Sequence, residues 1–185
     1  MRFPMFIELE GKKAVVAGAG RIGTRRIRLL ADFGAWVTVI APEISDEVRR
    51  LWEAGQVSCE LREIEQRDVE GAFLAVAATD QREINRRMAF WCRSVGIPVN
   101  VADRKEECDF YFPGIARAGC LTAGVCAGGN AHRLAKEAAA DIRGLFAENA
   151  EKYGLAAKEG DGRYEAEILD LPSRENHGRN GVHGE

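Results

Sequence analysis

Apolar residues recur along the chain in three rhythms, and each rhythm predicts a different kind of element. Short runs at 14–17 (Ala-Val-Val-Ala) and 72–78 (Ala-Phe-Leu-Ala-Val-Ala-Ala) are apolar without a break, as strands covered on both faces are. Residues 37–40 (Val-Thr-Val-Ile) and 97–102 (Ile-Pro-Val-Asn-Val-Ala) read as further strands of the same sheet. Residues 57–64 alternate apolar with polar, which predicts a half-buried strand at a sheet edge. Between these runs lie helical stretches: one after Gly23, one from Ser45 as cap to about Glu53 with Ala54-Gly55 ending it, and one over 82–95 stopped by Gly96. After Asp103 the pattern changes. A polar loop and the aromatic run Asp109-Phe110-Tyr111-Phe112-Pro113 precede two short strands over 115–127, hinged at Gly119. A helix over about 133–153 follows, with Leu134, Ala138, Ile142, Leu145 and Phe146 forming a stripe to be buried. Residues 1–10 are expected to pack along the sheet, 164–171 to form one short helix, and the polar, Gly-rich remainder to be disordered.

The stretch from Lys12 to Ile40 organises the rest. Gly18-Ala19-Gly20-Arg21-Ile22-Gly23 follows an apolar strand directly and opens a helix, the context in which a G-x-G-x-x-G turn signals dinucleotide binding. Gly18 allows the sharp turn, Gly20 admits a pyrophosphate to the backbone, and Gly23 lets helix and strand pack closely. The helix N-terminus favours an anion through its free N–H groups and its dipole. Thr79 and Asp80 end the central strand on the edge where open α/β sheets bind ligands, and Asp80 also suits the N-cap of the next helix. Of the basic cluster Arg21, Arg25, Arg26 and Arg28, Arg28 reads as solvated, whereas Arg21 sits inside the turn. The fold class is α/β: a Rossmann-type parallel sheet, then a small β-hairpin plus helix dimerisation segment. The expected divisions are a dinucleotide-binding domain over 1–112, the dimerisation hairpin and helix over 113–153, and a short, partly disordered tail over 154–185. With few elements left to cover hairpin and helix, a homodimer is the expected way to bury them.

Composition narrows the function. The chain has 185 residues and 46% hydrophobic content, enough for one good core and an appendage. A net charge of −3 argues against nucleic acid as partner. No apolar run approaches a membrane span, and residues 1–10 lack the features of a signal peptide, so a cytoplasmic protein is expected. Five cysteines without a C-x-x-C pair read as buried, reduced thiols. His177 and His183 fall in the polar tail and read as solvated, and no metal-ligand set is expected.

The order of motifs goes further. Pro4-Met5-Phe6, the glycine turn, Val37-Thr38-Val39-Ile40-Ala41-Pro42-Glu43, Ala77-Ala78-Thr79-Asp80, Pro98-Val99-Asn100-Val101-Ala102-Asp103, Cys108-Asp109-Phe110-Tyr111-Phe112-Pro113 and Gly128-Gly129 together resemble the precorrin-2 dehydrogenases, the siroheme-synthase amino-terminal family. The resemblance covers about residues 1–153. It implies NAD-dependent oxidation of precorrin-2 to sirohydrochlorin and, in some members, insertion of ferrous iron. It also implies NAD near Arg21, Ile22, Pro42 and Glu43, although residue type alone discriminates poorly between NAD and NADP. Asp103 matches the aspartate to which the family assigns dehydrogenation and, where present, chelation. The tetrapyrrole is implied near Asn100 and the loop carrying Gly128, Gly129, Asn130 and His132. That loop, Cys126-Ala127-Gly128-Gly129-Asn130-Ala131-His132, departs from the hydroxyl-rich form common in the family, so His132 stands either as a replacement ligand or as a helix-start residue. No methyltransferase domain follows, so uroporphyrinogen methylation is expected of another protein. Two alternatives stay open: a dinucleotide-sensing regulatory module, and an inactive paralogue with the same fold.

Overall fold

The computed structural model describes residues 2–127, 131–157 and 164–166. The chain divides into two units, Met1–Phe112 and Pro113–Glu185. In the first, β1 (Lys13–Ala19), β2 (Trp36–Ile44), β3 (Val57–Glu60), β4 (Leu74–Ala77) and β5 (Val99–Val101) form one sheet in the order β3-β2-β1-β4-β5. Every pairing is parallel. Helices α1 (Arg21–Asp32), α2 (Asp46–Glu53) and α3 (Arg82–Ser94) supply three of the four crossovers, and a 3-10 turn over Gln66–Val69 lies in the one from β3 to β4. The half-polar β3 takes the edge, and the fully apolar β4 lies inside, paired with β1 and β5.

Because side chains alternate across a strand, β1 feeds two cores. Ala14 and Val16 join Ile27 and Leu30 of α1 and Val48 of α2 on one face. Val15 and Ala17 join Met88, Ala89 and Cys92 of α3 on the other. Large side chains with no exposure, such as Ile27 and Met88, each contribute roughly 1.5–3 kcal/mol by burial. Ser45 caps α2 as its sequence position suggests, its hydroxyl accepting from the Val48 N–H.

Three expectations are corrected here. The amino-terminal segment does not pack along the sheet: Phe3, Met5 and Phe6 are exposed and only Leu9 reaches the core. Asp80 does not cap α3, whose N-cap is Gln81, and Asp80 is exposed. The cysteines are not uniformly buried. Cys92 is, and burial pushes its thiol up to about 11, but Cys120 and Cys126 are exposed. Arg26, which the sequence left unassigned within the basic cluster, is partly buried. Its guanidinium lies 4.0 Å from the Phe112 ring centroid, and burial, then the charge of Arg25, pulls it down to about 10.

In the second unit, β6 (Gly114–Ala118) and β7 (Leu121–Val125) make an antiparallel hairpin turning at Gly119, whose φ is 53°. Helix α4 (His132–Glu148) packs on it. The approach is close: a Cβ at Gly114 would lie 2.7 Å from the Ala135 carbonyl oxygen. Small residues therefore make the contact. Ala116, Ala118, Ala135 and Ala139 are buried, while Leu134 and Leu145 of the predicted stripe stay exposed within the single chain. Residues 164–166 are also not helical, since β8 (Leu155–Ala157) pairs antiparallel with β9 (Tyr164–Ala166).

Candidate active site

Chain order along the sheet runs one way through β1, β2 and β3 and the other way through β4 and β5, so the switch point lies between β1 and β4. A cleft of about 800 Å³ opens there. The glycine turn forms one wall, the end of β2 with Glu63 and Ile64 a second, and Ala78 to Gln81 with Ile84 the third.

The three glycines of the turn meet different surroundings. Gly18 has φ 91°, and a Cβ there would lie 2.5 Å from the Ala78 carbonyl oxygen, so the turn is pressed against the end of β4. A Cβ on Gly23 would lie 2.1 Å from the Gly18 carbonyl oxygen, which makes Gly23 the contact between helix and strand. Around Gly20 a Cβ would meet nothing within 4 Å. The protein itself does not require glycine there, and the vacant room is a cradle that a ligand backbone-contact would use. Helix α1 begins at this point with Gly20 as N-cap, no side-chain cap and no acid in its first turn. Its first N–H groups are therefore left for an anion.

A side-chain bridge fixes the opposite wall. The Thr24 hydroxyl donates to the Ala19 carbonyl at 2.9 Å and so accepts from the Ser45 hydroxyl, also at 2.9 Å. Start of α1 and start of α2 are thereby joined. Between them the β1–β2 register slips: Ala17 faces Ile40 and Ala19 faces Ile44, so Ala41, Pro42 and Glu43 stand opposite the single residue Gly18. Pro42 and Glu43 are exposed into the cleft by this bulge. Glu63 and Ile64 are held by Arg62, which pairs with Glu60 and with Asp68 at 2.7 Å. That guanidinium keeps the Asp68 carboxyl below the usual carboxylate range.

Asp103 is not in the cleft wall, but it is wired to it. Asn85, 1% exposed, accepts from the Thr79 N–H at 3.0 Å and the Thr79 hydroxyl at 2.7 Å. Its Nδ2 donates to the Thr79 carbonyl at 3.0 Å and to Asp103 Oδ1 at 3.1 Å. Arg82 Nη1 stands 3.7 Å from the other carboxylate oxygen, Oδ2, while its Nη2 is bound to Glu107. Asn100 lies below the surface. It is 6% exposed and donates to the Phe110 carbonyl at 2.9 Å, tying the aromatic segment to β5.

Of the residues marked from sequence, Gly18, Gly20, Arg21, Ile22, Pro42, Glu43, Thr79 and Asp80 line the one cleft, and Gly23 packs beneath it. Gly128, Gly129 and Asn130 lie outside the described residues, and His132 is the first residue of α4. Sequence reasoning missed Asn85, Arg82, Ser45 and Thr24 as site-forming residues. Asn85 carried a readable signal: it shares the buried face of α3 with Met88, Ala89 and Cys92 at helical spacing, and a polar residue there demands partners.

Room for a pyrophosphate at Gly20, with helix N–H groups that no side-chain cap engages, makes the chain a dinucleotide-binding protein of the Rossmann class. Comparison with known proteins agrees. The family described as "Putative NAD(P)-binding" matches residues 5–114. The "Probable multifunctional siroheme biosynthesis protein HemA" of Ruminiclostridium josui is 38% identical over 143 residues, 77% of this chain and 28% of that protein. Siroheme synthase of Pseudomonas aeruginosa is 39% identical over 133 residues, 72% of this chain and 29% of that protein. A solved structure, SirC, precorrin-2 dehydrogenase, superposes with a TM-score of 0.66 at 26% identity, over 82% of this chain and 75% of that one. The chain belongs to this NAD(P)-binding family, in the branch formed by the amino-terminal part of siroheme synthases. It spans less than a third of the length of the two curated relatives.

Proposed function

We propose that the chain oxidises precorrin-2 to sirohydrochlorin with NAD, one step of siroheme synthesis. The observation that carries this reading is the position of Asp103: a single buried amide separates it from Thr79, which lines the dinucleotide cleft. The similarity to a solved precorrin-2 dehydrogenase supports the same substrate. In the proposed arrangement Gly20, the first N–H groups of α1 and Arg21 receive the pyrophosphate. Pro42 and Glu43 meet the adenosine ribose, and Ile22, Thr79 and Asp80 border the rest of the dinucleotide. When bound, NAD supplies the nicotinamide carbon that accepts a hydride. Asp103 accepts the accompanying proton as general base, so that a hydride and a proton leave the tetrapyrrole and one new double bond forms. On the substrate side we place Gly128, Gly129, Asn130 and His132, with Asn100 acting through the Phe110 segment that it holds. Insertion of ferrous iron by the same carboxylate, which would take the pyrrole protons, belongs to this proposal as a second activity.

A homodimer is proposed for the intact protein, supported by Leu134 and Leu145 of α4, 60% and 50% exposed. A cytoplasmic site of action is proposed as well. Among the described residues, no helix is long and apolar enough to cross a membrane.

The test is the absorbance of NADH when purified protein receives enzymatically generated precorrin-2 and NAD without oxygen. Stoichiometric NADH and sirohydrochlorin are expected. Binding of NAD with none consumed would replace this reading by a dinucleotide sensor, and neither binding nor turnover by an inactive paralogue.

A further inference from the structure

We infer that Asn85, backed by Arg82, is a positioning residue that holds the Asp103 carboxylate in one orientation relative to the cofactor-lining Thr79. The inference deepens the dehydrogenase reading and rests on it.

The carboxamide of Asn85 is saturated. Its oxygen accepts from the N–H and the hydroxyl of Thr79, and its nitrogen donates to the Thr79 carbonyl and to Asp103. Three of these four bonds go to one residue, and two of the three go to backbone groups whose polarity cannot change. Turning the amide over would set N–H against N–H and carbonyl against carbonyl inside a site that is 1% exposed. The fourth bond is consequently imposed: Asp103 Oδ1 always meets a donor. The other oxygen, Oδ2, meets the charge of Arg82 at 3.7 Å, and Arg82 is itself anchored by Glu107. Oδ1 is held by a hydrogen bond and Oδ2 faces the Arg82 charge, both from groups outside the dinucleotide cleft's own glycine wall. Any movement of Thr79 as the cofactor binds is passed to Asp103 through one rigid amide. A helix-start residue with a merely structural task would need its bonds to Thr79 and no donor aimed at Asp103.

Two substitutions separate the roles. Asn85→Leu keeps the volume and removes the donor at every pH. Asn85→Asp keeps the shape and faces Asp103 with a second carboxyl group, so the pair titrates as a unit and takes up one shared proton as pH falls. That proton restores a donor to Asp103. With precorrin-2 and NAD, Asn85→Leu is expected to lower kcat between about tenfold and a hundredfold at all pH values, the scale of a misplaced catalytic group. KM for NAD should change less than kcat, although Thr79 in the cleft wall loses its bonds to Asn85 in the same variant. Asn85→Asp should show a similar loss at pH 8.5 and recover relative to wild type as pH is lowered and the carboxyl pair takes up its shared proton. Melting temperature and NADH fluorescence on binding report whether each variant folds. If neither Asn85 variant does, Arg82→Gln, at a side chain 35% exposed, carries the test, with an expected loss in kcat of about fivefold and unchanged NAD binding. Equal, pH-independent losses in the two Asn85 variants, or full kcat in Asn85→Leu or Arg82→Gln, would overturn the inference. If wild type itself forms no NADH, the dehydrogenase reading fails first and the inference fails with it.

Discussion

The glycine turn and the Asp103 corner face the same end of one sheet, yet they are built by opposite means. At the turn, backbone presses on backbone, and specificity consists of side chains that are missing: Gly18 against Ala78, Gly23 against Gly18, and Gly20 against open space. At Asp103, side chains grip side chains. Asn85 reaches it across 18 positions of sequence, and Arg82 reaches Glu107 across 25. A site made of backbone proximity leaves a compact signature, because the residues that must lack a Cβ are close in sequence. A site made of side-chain bonds is spread over the chain and is read only when the fold has brought its members together.

Gly23→Ala should break the turn most severely. The new methyl would stand 2.1 Å from the Gly18 carbonyl oxygen, so α1 must shift away from β1. A destabilisation of about 3 kcal/mol or more is expected, read as a fall of roughly 10 °C in melting temperature together with loss of NAD binding. Gly20→Ala sharpens the contrast. Its methyl meets no protein atom within 4 Å, so melting temperature should stay within about 1 °C while NAD affinity drops about tenfold to a hundredfold, measured by calorimetry. Equal damage to stability and binding at both glycines would refute the distinction drawn between them.

At the Asp103 corner, Asn100→Leu removes the donor from the Phe110 carbonyl and should cost about 1–3 kcal/mol in chemical unfolding. NAD affinity should be unchanged, since Asn100 lines no part of the cleft. The smallest effect is expected at the brace behind the cleft wall. Asp68 is held below its ordinary range first by the hydrogen bond from Arg62, so its contribution is complete above the unfolded carboxylate value and is lost as pH falls through the lower folded one. The gap in melting temperature between wild type and Asp68→Asn should therefore be constant from pH 7 to 5 and close below about pH 3.8, the range in which Asp68 becomes protonated. A gap that persists into stronger acid would assign the effect to packing instead.

What the sequence revealed divides along the same line. The edge place of β3, the interior place of β4 and the Ser45 cap follow from local patterns, since each rests on which neighbours a side chain needs. The cleft wall from Gly18 to Ile22 was equally legible. The bulge that swings Pro42 and Glu43 over the cleft was not, because the slip against Gly18 depends on pairing between strands. The hairpin-facing side of α4 was not legible for a related reason: Gly114 draws the helix so close to the hairpin that Ala135 and Ala139 make the contact. Asp80 lost its capping role because Asn85 and the Thr79 hydroxyl organise the turn ahead of α3. The aspartate at 103 was marked by resemblance, whereas its tether could be recognised only as a polar intrusion on an apolar helix face.

The most direct measurement compares wild type with Asp103→Ala for NADH formation from precorrin-2, with NAD binding measured on the same samples. The account predicts intact NAD binding in both, because Asp103 is no part of the cleft wall, and a fall in kcat of about a hundredfold or more in the variant, the scale of a lost general base. Equal turnover by the two proteins would remove Asp103 from the chemistry and contradict the account.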